Sequence, residues 1–128
     1  MFSMDDFAQL QFLEGRWQGE TPQGKALFEQ YERPEPGVFK LRSFHDASFT
    51  GHSDGATITL REGEVVSEWN EYSWRASRIA SDSADFEPVN APSRFTWRRI
   101  DDDTLETAQY WTAEGKEQQY VHRMTRLS

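Results

Sequence analysis

The chain has 128 residues, no cysteine and a formal net charge of −8, from 22 acidic and 14 basic residues. This length fits one domain. The acidic surplus argues against nucleic acid or an anionic membrane as the main partner. The missing cysteines remove disulfides, zinc–thiolate sites and thiol nucleophiles together. The first residues carry Asp5, Asp6 and Glu14 without a leading basic cluster, unlike a secretory signal. No apolar run approaches the ~20 residues of a membrane helix, so the expectation is a cytoplasmic protein.

Met4 to Leu13 reads as a short helix. Ser3 is its N-cap, Asp5 and Asp6 suit the positive end, and Phe7, Leu10 and Leu13 share a face. Gly15 ends it, and Arg16 to Thr21 is a first strand carrying Trp17. Turn signals follow at Pro22-Gln23-Gly24, Pro34 to Gly37, Ser53-Asp54-Gly55, Glu62-Gly63, Asp101 to Asp103 and Glu114-Gly115. Between them lie strand-like segments: Lys25 to Arg33, Val38 to Ala47, Ala56 to Arg61, Glu64 to Tyr72, Ser73 to Ser81, Arg94 to Ile100, Thr104 to Thr112 and Lys116 to Leu127. Such spacing predicts a barrel or sandwich of hairpins, and no helix is long enough for a parallel crossover. Ser81 to Ser93, with Pro88 and Pro92 and no sustained alternation, is expected outside the sheet, as a mobile segment over a barrel mouth.

Only 36% of residues are apolar, yet 14% are aromatic, so large rings must supply much of the core. Trp17, between Gly15 and Gly19, is expected to plug one barrel end. Tyr120, His122 and Met124 share one strand face, and Phe95 and Trp97 share another. Several strands therefore lack a purely polar face. Either the interior is partly polar, as a ligand cavity requires, or a partner subunit in a homodimer covers one outer face.

Carboxylates form no distinct catalytic pair, and no nucleophile elbow or phosphate loop is present. His45, Asp46, His52 and Asp54 have no recognised metal spacing, so no metal is expected. His122 is a candidate haem ligand or proton-transfer group, set against the plainer reading of a hydrogen-bonded strand histidine. Arg94, Arg98, Arg99, Arg123 and Arg126 cluster late, either to hold a ligand anion or to pair with the acidic surplus.

The opening Phe12-Leu13-Glu14-Gly15-Arg16-Trp17-Gln18-Gly19 resembles the Gly-x-Trp signature of the calycin superfamily of lipocalins, fatty-acid-binding proteins and nitrobindin-like haem proteins. The stretches Phe95 to Ile100, Asp103 to Glu106 and Gly115 to Gln119 resemble small uncharacterised bacterial lipocalin-like domains. The resemblance implies an up-and-down barrel with Trp17 closing one end and a basic side chain, Arg123 or Arg126, packed over it. Its haem-binding branch uses a late-strand histidine, and His122 is the late one here.

Together these readings predict a single all-β domain: an antiparallel up-and-down barrel of about eight to ten strands with a short N-terminal helix. Its expected role is to bind a small, partly apolar ligand, with Trp69, Trp97, Tyr110, Tyr120 and His122 lining the site and no cofactor. The alternatives are a barrel enzyme using His122 with Tyr110 or Tyr120 as acid and base, and a protein-interaction module.

Overall fold

The computed structural model describes residues 1–51 and 54–127. Ten antiparallel strands close into a barrel in simple up-and-down order. They are β1 (Gly15–Glu20), β2 (Ala26–Glu35), β3 (Val38–Phe44), β4 (Asp54–Arg61), β5 (Glu64–Trp69), β6 (Tyr72–Ala80), β7 (Ser83–Pro88), β8 (Arg94–Asp101), β9 (Thr104–Ala113) and β10 (Lys116–Arg126). The predicted helix is present in two parts. An α-helical turn, α1 (Met4–Ala8), tightens into a 3-10 turn over Gln9–Leu13. Ser3 caps it as expected: its hydroxyl accepts from the Asp6 N–H at 3.1 Å, and the Asp6 carboxylate accepts from the Ser3 N–H at 2.8 Å.

The helical segment stoppers the barrel end where β1 begins. Leu10, Leu13 and Trp17 are fully buried there with Phe39, Ile58 and Met124. Phe7 adds a ring 5.3 Å from that of Phe39. Two glycines make this end possible. Gly15 has φ 128°, a conformation a side chain disfavours, as the chain swings from helix to strand. At Gly19, a Cβ would collide with the Arg123 carbonyl and Met124 Sδ of β10. The barrel therefore closes through close backbone approach along Trp17↔Arg126, Gln18↔Thr125 and Gly19↔Met124.

Two expectations need correction. Ser81 to Ser93 does not lie wholly outside the sheet, because Ser83–Pro88 is β7, paired with β6 on one side and β8 on the other. The short alternation Ala84, Phe86 suffices, since both side chains are buried in the interior. Pro88 sits at the strand's last position, where a missing N–H does little harm. The following turn is pinned by Asn90, which accepts from the Ser73 N–H at 2.7 Å and donates to the Glu71 carbonyl at 2.8 Å. Likewise, Glu64 to Tyr72 is not one strand. Asn70, at φ 54°, turns the chain between β5 and β6, and Asn tolerates that left-handed conformation better than most residues.

Candidate functional site

Inward-facing residues of neighbouring strands stack in register, so the interior can be followed layer by layer. Near the stoppered end the layers are apolar, with Leu10, Leu13, Ile58 and Met124 packed with the rings of Phe7, Trp17 and Phe39. Toward the other end polar residues join the aromatic ones, and a cavity of about 210 Å³ remains. This exceeds the ~150 Å³ of an apolar cavity able to hold benzene. Its walls include Leu41, Trp74, Phe95 and Trp97, and Trp69, 36% exposed, stands at the mouth. The rings are fixed by one another. Phe86 stacks on Phe95 at 4.8 Å, and Trp97 meets Phe95 edge-on at 4.9 Å. Trp74 meets Phe95 edge-on at 5.3 Å and donates its indole N–H to the Ser93 carbonyl at 2.6 Å. Such mutual contacts give a preformed wall rather than a collapsible one.

The polar lining comes from Glu29 and Tyr31 on β2, Ser43 on β3, Ser67 on β5, Thr107 and Gln109 on β9 and His122 on β10. Glu29 is placed by register: it pairs with Trp17 on β1 and with Ser43 on β3, so the closure of the barrel turns its carboxyl inward. The Tyr31 hydroxyl donates to Glu29 Oε1 at 3.4 Å. Burial pushes the Glu29 pKa up from 4.5 to about 7, and the Tyr31 hydrogen bond only partly offsets this. Burial, followed by the charge of Glu29, raises the Tyr31 phenol well above 10, so its proton stays in place. Burial also lowers the His122 pKa from 6.5. Both its ring nitrogens are buried without a hydrogen-bond partner. An unpartnered imidazole is costly, and a bound molecule or water satisfies it.

Of the five residues predicted to line the site, Trp69, Trp97 and His122 border this cavity. Tyr120 shares the face of His122, its ring 5.7 Å away, but lies nearer the end of the β9–β10 hairpin and outside the cavity lining. Tyr110 does not line it at all. Its register partners are Arg94 and Gln119, and its ring lies on the outer wall with the Arg94 guanidinium 4.2 Å from its centroid. An acid–base pair of His122 with Tyr110 is thus excluded by the barrel wall between them.

The late arginines do not enter the cavity. Arg94 pairs with Glu117 at 2.9 Å, Arg123 with Glu106 at 3.2 Å and Arg99 with Asp102 at 3.8 Å, so the plainer reading of that cluster holds for these three. Of the histidines weighed and set aside as metal ligands, His45 is exposed in the loop after β3, and His52 lies outside the described residues. Among the described residues, no group of three His, Asp or Glu side chains is placed to hold a metal ion.

Sequence reasoning missed Glu29, Tyr31, Trp74 and Phe95 as lining residues. A signal for Glu29 existed. Leu27, Glu29 and Tyr31 share one strand face, so an acid stands between two apolar neighbours.

No known protein-family profile matches the chain, and no curated protein sequence does so. Among solved structures, EF1p2_mFAP2b bound to DFHBI is similar with a TM-score of 0.46 and 12% identity, covering 97% of this chain and 99% of that one. A redesigned beta barrel, b11L5F_LGL, is similar with a TM-score of 0.42 and 11% identity, covering 92% of this chain and 94% of that one.

Proposed function

We propose that this protein binds a small, partly apolar molecule inside its barrel, in the manner of a lipocalin-like carrier of the calycin type. The carrying observation is the aromatic-walled cavity of about 210 Å³ into which the unpartnered His122 ring is set. A barrel that served only as a stable core would be expected to fill this space, because voids forfeit packing contacts. Burying apolar ligand surface against Trp74, Phe95 and Trp97 supplies affinity, and the polar groups around Glu29 and His122 supply orientation. The calycin reading draws support from the stoppered end, where Arg126 rather than Arg123 packs over Trp17.

The test is a titration read by tryptophan emission, with a panel of single-ring and two-ring aromatic probes. Trp74 and Trp97 face the cavity, so a bound probe changes their emission. Ala56→Leu, which places a larger side chain in the cavity wall, abolishes the change while leaving the far-ultraviolet circular dichroism intact. A panel with no responding member, or an undiminished response in Ala56→Leu, overturns the reading.

A further inference from the structure

The charge inventory of the cavity is one-sided. Among the described residues no lysine or arginine lines it, and burial disfavours protonation of the one histidine that does, His122. Glu29 is the one lining carboxylate among the described residues, and in the bonds the structure shows it receives a single, long donor, the Tyr31 hydroxyl at 3.4 Å. An ionised carboxylate offers about four acceptor positions. The neutral imidazole of His122 adds a ring nitrogen able to accept. Around these acceptors stand the faces and edges of Trp69, Trp74 and Trp97, and indole faces attract cations. Lining of this kind repels a carboxylate or phosphate and satisfies a positively charged donor, while the hydroxyls of Ser43, Ser67 and Thr107 and the Gln109 amide serve the neutral polar groups of a ligand.

Resting on the ligand-binding reading above, we propose that the occupant is a compact organic cation: a protonated amine or amidine on an apolar or aromatic body, its charge on Glu29 and its body against the indoles. The groups facing Glu29 agree with this. Tyr31, on the same strand, keeps its proton. Trp17 and Ser43, the neighbours across β1 and β3, carry no charge. Arg126, beyond Trp17, is held on the far side by main-chain carbonyls of Phe12, Glu14 and Asp102. A cation entering at pH 6 meets a carboxyl that still holds its proton and must release it; at pH 8.5 the carboxyl is already ionised.

Calorimetric titration with 2-phenylethylammonium and its neutral isostere 2-phenylethanol tests this, in buffers of differing ionisation enthalpy. The ammonium form is expected to bind roughly tenfold tighter at pH 8.5, the scale of a charge-assisted contact in a desolvated site. That preference shrinks at pH 6, where binding releases close to one proton. Glu29→Gln removes both the preference and the proton release while still binding the neutral probe. Equal binding of the two probes, with no proton release at pH 6, overturns the cation assignment and leaves the cavity reading standing. Binding of neither probe overturns the cation assignment, and the wider aromatic panel then decides the cavity reading. Should Glu29→Gln fail to fold, the probe preference and proton release of the native chain decide alone.

Discussion

The guanidinium of Arg126 lies 4.3 Å from the centroid of the Trp17 ring, on the side of the indole nearest the stoppered end of the barrel. The contact adds a side-chain clasp to the backbone ladder between the first strand and the last. The Trp17 indole N–H donates to the Leu13 carbonyl at 2.9 Å, and Arg126 donates to the carbonyls of Phe12 at 3.1 Å, Asp102 at 3.1 Å and Glu14. Helix, β1, β10 and the β8–β9 turn thus meet at a single pair of side chains.

Trp17→Ala should cost about 3–5 kcal/mol, the range for deleting a large buried aromatic side chain. Arg126→Gln should cost about 1–3 kcal/mol, because it strips a charged donor from carbonyls that the fold keeps partly buried. Chemical denaturation measures both. A midpoint unchanged in either variant would show that the barrel end is held in some other way.

Glu29 should make stability fall as pH rises. Its folded-state pKa of about 7 lies above the unfolded 4.5, so between these values the folded chain holds a proton that the unfolded chain has lost. Stability from the protonated carboxyl is complete below pH 4.5 and declines as pH rises through 7, by about 3 kcal/mol in total. Glu29→Gln lacks this slope. It should gain on the native chain between pH 4.5 and 8, as read by denaturant midpoints across that range. A constant difference across the range would refute the raised pKa.

His122 should titrate below 6.5, because burial disfavours the imidazolium. Its effect on stability has the opposite sign to that of Glu29. Below pH 6.5 the unfolded chain takes up a proton that the folded chain refuses, so stability falls with decreasing pH until the folded-state pKa is reached. Nitrogen-15 chemical shifts of the ring across pH 5 to 8 measure it. A midpoint at the ordinary 6.5 or above would mean the ring is solvated rather than set into the cavity.

The amides of Ala84 and Phe86 should exchange slowly, comparably to those of Phe95 and Trp97, because β7 has a partner on both sides. Asn90→Ala should speed exchange at Ser73, which loses its acceptor, and lower stability by about 1 kcal/mol. Fast exchange throughout Ser83–Pro88 would return this strand to the loop its prolines and serines suggest.

The sequence alone determined what depends on local chemistry. The Ser3 cap, the Gly15 stop, the hairpin rhythm and the inevitability of an aromatic core follow from cap, turn and ring chemistry, which acts over a few residues. Parity joined Tyr120 to His122 and separated Trp97 from Arg98, because alternation has period two whatever the neighbours are. Only the tertiary structure decided which of two faces is the inside. That choice is made by register across all ten strands, and one residue of slip inverts every side chain. Closure turned His122 inward and Tyr110 outward, picked Arg126 over Arg123 to cover Trp17, and drew Ser83–Pro88 into the sheet between two stronger strands. It also enclosed Glu29 among indoles. A carboxylate that looks like one of 22 acids in the chain acquires its chemistry only when the closed barrel wall turns it inward, away from most of the water.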